Sequence, residues 1–147
     1  MRWVTRRNAN VDRVACPWLI RRFVDPRAEF VFVARDTDPA TITDGTPYDM
    51  ARVELGHVDG RCSFESILVK HGLMGDPALA LLGRIVHGAD IPADLGSSPP
   101  EAHGLRAIAY GFASLHGEDD HEKIRLESPM YDALYAWCGE QVRSAPG

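Results

Sequence analysis

Cysteine is scarce in this chain. Three residues, at 16, 62 and 138 of 147, are odd in number and include no Cys-x-x-Cys pair. That pattern excludes a disulfide framework and a zinc ribbon or thioredoxin-type motif, and it fits a reducing compartment. Long apolar runs are missing too. No stretch approaches the roughly 18 apolar residues of a membrane span, and Met1-Arg2-Trp3-Val4-Thr5-Arg6-Arg7 turns charged where a signal peptide needs an apolar run. A cytoplasmic protein with no membrane partner is expected. Gly-x-Ser-x-Gly, His-Glu-x-x-His, P-loop and Gly-x-Gly-x-x-Gly patterns are all absent. The common serine-hydrolase, zinc-protease, nucleotide-triphosphatase and dinucleotide readings therefore have no support.

Lysine is absent from the first 27 residues, where seven arginines (2, 6, 7, 13, 21, 22 and 27) face only Asp12 and Asp25. The rest of the chain carries an acidic excess, since the total is -5. An acidic total argues against independent nucleic-acid binding, which draws on cations that neutralise phosphates. Arginine used without lysine points to forked hydrogen bonding to oxyanions or carboxylates, with pairing to the acidic remainder as the alternative. Arg6, Arg13 and Arg22 are the candidate oxyanion contacts.

What is present supports one α+β domain over residues 1–147: a small N-terminal βαβ-like sheet followed by a predominantly helical C-terminal part. Trp3 to Arg6 reads as a strand. Asn10 or Asp12 caps a helix carrying Val14, Ala15, Leu19, Ile20 and Phe23, which kinks at Pro17 or starts near Cys16, and Glu29 to Ala34 reads as a second strand. After a loop over 36–49, a short strand is expected near Arg52 to Leu55. Ser63 caps a helix that Gly72 ends, and Asp76-Pro77 opens another that Gly88 stops. Ile91 to Pro100 reads as a linker. Leu105, Ile108, Phe112 and Leu115 then mark an amphipathic helix, and the last helical region from Asp119 is expected to break at Ser128-Pro129.

The chemistry-bearing residues concentrate in two short segments, Glu54 to Glu65 and Asp119 to Glu122. Glu54, His57, Asp120 and His121 supply two imidazoles and two carboxylates, a set suited to a divalent transition metal (Zn, Fe, Mn or Ni). Asp119 with Glu122 also reads as an ordinary capping box. Cys16, among arginines at a helix start, and Cys62, close to His57, are candidate redox thiols, although cysteine is usually a core residue. Tyr131 and Tyr135, four apart on a helix, are pocket candidates with packing as the alternative. His71 and His87 each precede a glycine and read as helix-end residues.

The segments Asn10 to Pro26, Val53 to His57 with Cys62 to Phe64, Ile85 to Asp90, Asp119 to His121 and Tyr131 to Cys138 resemble the chromate-resistance family, specifically the C-terminal domain of ChrB-type proteins. The likeness spans nearly the whole chain. It implies a role in the chromate response, with chromate or another small anion as partner. Larger ChrB-type proteins carry an additional N-terminal region associated with DNA binding, which is not expected here. Chromate is a tetrahedral dianion suited to arginine forks, and Cr(VI) oxidises thiolates. The resulting expectation is a cytoplasmic metal- or oxyanion-binding domain for chromate resistance or sensing. A metal-dependent enzyme acting on a small anionic substrate is the second reading, and a homodimeric interaction domain built on the last helix is the third.

Overall fold

The structure, a computed structural model, describes residues 1–144. Strand β1 (Arg2–Arg6) lies at the centre of a three-stranded parallel sheet, between β2 (Glu29–Val33) and β3 (Thr46–Pro47). Helix α1 (Asp12–Phe23) is the crossover from β1 to β2, with Trp3 opposite Phe30 and Thr5 opposite Phe32. Four more helices follow: α2 (Ser63–Lys70), α3 (Pro77–Asp90), α4 (Glu101–His116) and α5 (Asp120–Ser144). The expected α+β architecture, with its small N-terminal sheet and helical remainder, is the one observed.

The core forms where these layers meet. Trp3 from β1, Val14, Leu19 and Ile20 from α1, Phe64, Ile67 and Leu68 from α2, and Leu79, Leu82, Ile85 and Val86 from α3 are all buried in one cluster. Each such side chain stabilises the fold by roughly 1.5–3 kcal/mol relative to leaving it exposed. Helix α5 packs on α1 through aromatic contacts: Trp18 lies near Tyr131 and Tyr135, and its indole Nε1 donates to Asp132 at 2.9 Å. No helix among the described residues is long and apolar enough to cross a membrane.

Several local expectations are corrected. Asp12 does not cap α1; the N-cap is Val11, without a side-chain bond, and α1 runs through Pro17. The strand expected at Arg52 to Leu55 is a run of turns, and the third strand is Thr46–Pro47. Helix α5 also continues through Pro129, its long face held by packing on α1 and α3 where local propensity alone favours a break. In α4 the buried positions are Ala102, Leu105 and Ala109, while Ile108 and Leu115 of the apolar stripe are exposed. Small residues there allow close approach to α3.

Gly88 does not end α3, which continues to Asp90. Its role is proximity: a Cβ there would sit 2.3 Å from Ser98 Cβ and 2.9 Å from Ala102 Cβ. Gly88→Ala is therefore expected to lower stability by about 1–3 kcal/mol through overpacking. Gly104→Ala in α4, whose Cβ would meet nothing within 4 Å, should raise it by about 0.5–1 kcal/mol through backbone entropy and helix propensity. Urea denaturation of the two variants checks both signs.

Candidate functional site

The first turn of α2 has free backbone N–H groups, and a buried carboxylate from another helix meets them. Asp12 Oδ2 accepts from Ser63 N at 2.6 Å and Oδ1 from Phe64 N at 2.9 Å, with Cys16 Sγ also donating to Oδ1 at 3.5 Å. A carboxylate at a helix N-terminus satisfies orphan donors and complements the helix dipole. Asp12 is 1% exposed, and burial raises its pKa above the usual carboxylate range, with the His57 hydrogen bond opposing and the Asp90 charge adding to the rise.

Two more aspartates and a histidine complete the cluster. Asp49 stands in the left-handed region (φ 48°) in the loop after β3, which turns its side chain inward. Its Oδ1 accepts from Ser63 Oγ and its Oδ2 from Arg13 Nε, both at 2.7 Å. Asp90 is the last residue of α3. His57 Nε2 lies 3.1 Å from Asp90 Oδ2, 3.5 Å from Asp12 Oδ2 and 3.8 Å from Asp49 Oδ1. The hydrogen bonds to Asp12 and Asp90 push the His57 pKa up to about 10, against burial. Burial, then the charge of Asp12, pushes the Asp49 carboxyl up to about 7.

These groups line a cleft of about 200 Å³ bordered also by Asn8, Asn10 and Val11. A second space of about 270 Å³ shares Arg13, Asp49 and His57 and is bounded by Arg6, Met50 and Ala51. Arg6 Nε is buried there without a hydrogen-bond partner among the described residues. One end of the cleft is thus acidic and the other carries a guanidinium.

The four residues expected to form a metal site are not brought together. His57 belongs to the cluster just described. Glu54 is exposed and pairs with Lys70 at 3.0 Å. His121 packs edge-on against Phe32. Asp120 is buried and accepts from Asn8 N at 3.0 Å and Ala9 N at 2.8 Å, and it pairs with Lys123 at 3.1 Å. Among the described residues, one group of potential ligands is Asp12, Asp49 and His57 and the other is Cys62, Glu65 and His87; neither contains Glu54, Asp120 or His121. The physical reason is local: Asp120 is fully engaged in holding the loop before α1, where backbone amides need an acceptor.

The other expected site residues divide similarly. Arg13 borders the cleft but is committed to Asp49 and to the Arg7 carbonyl. Arg22 pairs with Asp132 at 2.6 Å beside the rings of Trp18, Phe23 and Tyr135. Cys16 and Cys62 are both buried, and burial with the Asp12 charge raises both thiol pKa values, the reverse of an activating environment. Tyr135 donates to Asp76 at 2.6 Å, while the buried Tyr131 hydroxyl finds no partner among the described residues. Asp49 and Asp90 were not singled out in the sequence. Asp90 does close one of the segments carrying the family likeness, and that was the available signal; Asp49 sits in a turn-rich loop with none.

Comparison with known proteins gives four findings. A family model described as "ChrB, C-terminal domain" matches residues 3–138. Protein ChrB of Cupriavidus metallidurans is 38% identical over 118 residues, covering 80% of this chain and 35% of that protein. A phosphoglucosamine mutase of Thermosipho africanus is 30% identical over 105 residues, 71% of this chain and 21% of that protein. The chain therefore spans about a third of the first relative and a fifth of the second. No solved structure matches it.

Close to Tyr131 in α5, Glu127 has both carboxylate oxygens buried without a partner among the described residues, and burial pushes its pKa up to about 8, with Lys123 opposing. The folded chain therefore holds a proton that the unfolded chain, with a value near 4.5, releases. Stability from this group is full below about 4.5 and is lost as pH rises through about 8. Glu127→Gln should match the parent near pH 4 and exceed it increasingly towards pH 9, read as a rise of a few °C in melting midpoint across a pH series.

Proposed function

Because this chain belongs to the ChrB C-terminal-domain family, we propose that it serves in chromate resistance or chromate sensing by holding a divalent transition metal at Asp12, Asp49, His57 and Asp90. The observation that carries this reading is the convergence of three carboxylates on one imidazole nitrogen, at 3.1–3.8 Å. Ligand atoms of Asp12, Asp49 and His57 lie within 4.8 Å of one another, close to the span of two ligands each about 2.0–2.2 Å from one ion. Crowded carboxylates repel, and a divalent cation neutralises them more fully than a singly charged imidazolium does. Three oxygens and one nitrogen suit manganese, iron or zinc. A bound ion of this kind supplies Lewis acidity and a point of attachment for an anion.

The oxyanion part of the reading depends on that metal. Chromate alone would meet the field of Asp12, Asp49 and Asp90, which disfavours a dianion. Arg6, whose buried Nε has no partner among the described residues, supports anion binding from the other end of the cleft, whereas Arg13 keeps Asp49 in place and Arg22 belongs to the α1–α5 seam. The second reading, a metal-dependent enzyme for a small anionic substrate, draws support from Asp49. In that reading Asp49 stands outside the ion's ligands, because a metal-bound carboxylate carries no proton to transfer, and a carboxyl pushed up to about 7 beside a cleft is suited to proton transfer at neutral pH. Release of a product from a phosphate or carboxylate ester by the metal-loaded chain would favour it over binding alone.

Manganese titration followed by electron paramagnetic resonance tests the site. His57→Ala and Asp90→Asn should each weaken binding by about tenfold or more, while Glu54→Gln and His121→Ala leave it unchanged. Retained affinity in both His57→Ala and Asp90→Asn would sink the proposal. Metal must displace the protons that His57 and Asp49 hold up to about 10 and about 7. Affinity should therefore fall by about tenfold per pH unit for each proton displaced as pH drops below these values. Chromate is expected to bind the manganese-loaded chain, and Arg6→Ala should weaken it; equal binding without metal would refute the metal-dependent step.

A further inference from the structure

A separate group of ligand atoms lies at the same helix start, and the aspartate cluster does not use it. Cys62 is the N-cap of α2, Glu65 lies in the first turn of that helix, and His87 comes from α3. One ligand atom from each lies within 4.8 Å of the other two. His87 Nδ1 faces Glu65 Oε1 at 2.5 Å, and its other nitrogen, Nε2, faces Asp94 Oδ2 at 2.7 Å. Asp94 belongs to the short 3-10 segment Pro92–Ser97, outside the trio. A metal-ligating histidine characteristically gives its remote N–H to a carboxylate, which fixes the tautomer and aims the other nitrogen at the ion. With Nε2–H donating to Asp94, the Nδ1 lone pair is directed towards Glu65 and Cys62.

We propose that Cys62, Glu65 and His87 form a second divalent-metal site, of the thiolate-containing kind that takes zinc, with Asp94 orienting His87. Sulfur, imidazole and carboxylate together are a zinc donor set, unlike the oxygen-rich aspartate cluster. The thiol already accepts the Glu65 backbone N–H as part of a capping box; the same bond would stabilise a thiolate. A cavity of about 320 Å³ bordered by Glu65, Arg84, His87, Asp94, Ser97 and Ser98 adjoins the trio. Three protein ligands beside open space are the pattern of a site that keeps one position for an exogenous ligand. On binding, a metal–sulfur bond forms and the Cys62 thiol proton leaves to solvent, as does any proton shared between His87 Nδ1 and Glu65, while the Nε2 proton stays on His87, hydrogen-bonded to Asp94. An ion-paired His87 clamped by two acids explains the nitrogen contacts but gives the thiol no part.

Cobalt titration of the full chain tests the assignment, because a cobalt–thiolate bond gives a near-ultraviolet charge-transfer band that oxygen and nitrogen ligands do not. The band is expected to saturate at one cobalt per chain, to disappear in Cys62→Ser, and to persist in Cys16→Ser and Cys138→Ser. Asp94→Asn should weaken cobalt binding by about 10–100-fold while leaving the band in place at saturation. Glu65→Gln preserves an acceptor for the Cys62 amide, so it reads loss of a ligand without loss of the cap, and about a tenfold or greater weakening is expected. A parent chain without the band, a band surviving Cys62→Ser, or undiminished affinity in Glu65→Gln overturns the proposal. Manganese binding at the aspartate cluster should survive Cys62→Ser, and the cobalt band should survive Asp90→Asn, so the two sites stand or fall separately.

Discussion

The buried carboxylate of Asp12 is the constraint on which the rest of the arrangement depends. Removing an ionised carboxylate from water costs several kcal/mol unless its lone pairs are filled. Here two backbone amides of α2 fill them, and the dipole of that helix favours the charge. The contact joins residues 51 and 52 apart in sequence and fixes where α2 starts relative to α1. Once α2 is fixed, the Ser63 hydroxyl positions Asp49, Arg13 closes on the same carboxylate, and His57 is left facing three acids. Burial in one crowded volume raises the pKa values of Asp12 and Asp49, whereas that of His57 is raised by its hydrogen bonds to Asp12 and Asp90, against burial.

A second polar staple secures the segment that delivers Asp12. Asp120 accepts the amides of Asn8 and Ala9, and Lys123 donates to the carbonyls of Ala9 and Gly117 at 2.7 and 2.8 Å. Both side chains are buried, and the pair is 3.1 Å apart. Removing either partner would leave a buried charge unmatched, so the pair acts as a unit. Its effect is geometric. Asn8 is held in the left-handed region (φ 65°), an arrangement that costs energy outside glycine and persists where surrounding bonds over-determine it. The Asp-Asp-His-Glu run, chemically suggestive in the sequence, is thus largely a structural anchor for the loop entering α1.

This contrast explains what the sequence could and could not reveal. Branched and aromatic residues mark β2, and Asp76-Pro77 marks the start of α3, where the Asp76 side chain accepts from Ala78 N and Leu79 N. Such signals are local. The cluster is assembled by contacts between distant segments, and only His57 among its members was assigned to a site. Asp12 was visible as a helix-start residue, but it caps a helix other than its own. Asp90 was hidden behind Gly88, a glycine kept for close packing against Ser98 and Ala102 and not for a turn. Asp49 depended on a positive φ that an aspartate tolerates better than most residues but does not announce. Proline misled in the opposite direction: Pro17 and Pro129 interrupt local helix propensity, yet burial on both sides of α1 and the length of α5 outweigh it.

The two ligand clusters share one short element, and that has a mechanical consequence. Cys62 belongs to the thiol group and Ser63 to the aspartate group, so adjacent residues at the start of α2 face different chemistry. Behind them Phe64, Ile67 and Leu68 are fully buried, and Trp18 of α1 stacks on Phe64 with the planes 8° apart. A close-packed interior transmits a displacement instead of absorbing it. Any shift of the first turn of α2 that improved the geometry at Cys62, Glu65 and His87 would carry the Ser63 and Phe64 amides with it and alter the support of Asp12 and Asp49. Were both proposed sites occupied, each would be coupled to the geometry of the other through the first turn of α2 and the contacts it makes to Asp12 and Asp49. Since such coupling is reciprocal for binding free energies, metal at the proposed thiol site would alter affinity at the proposed aspartate site by the same factor as the reverse.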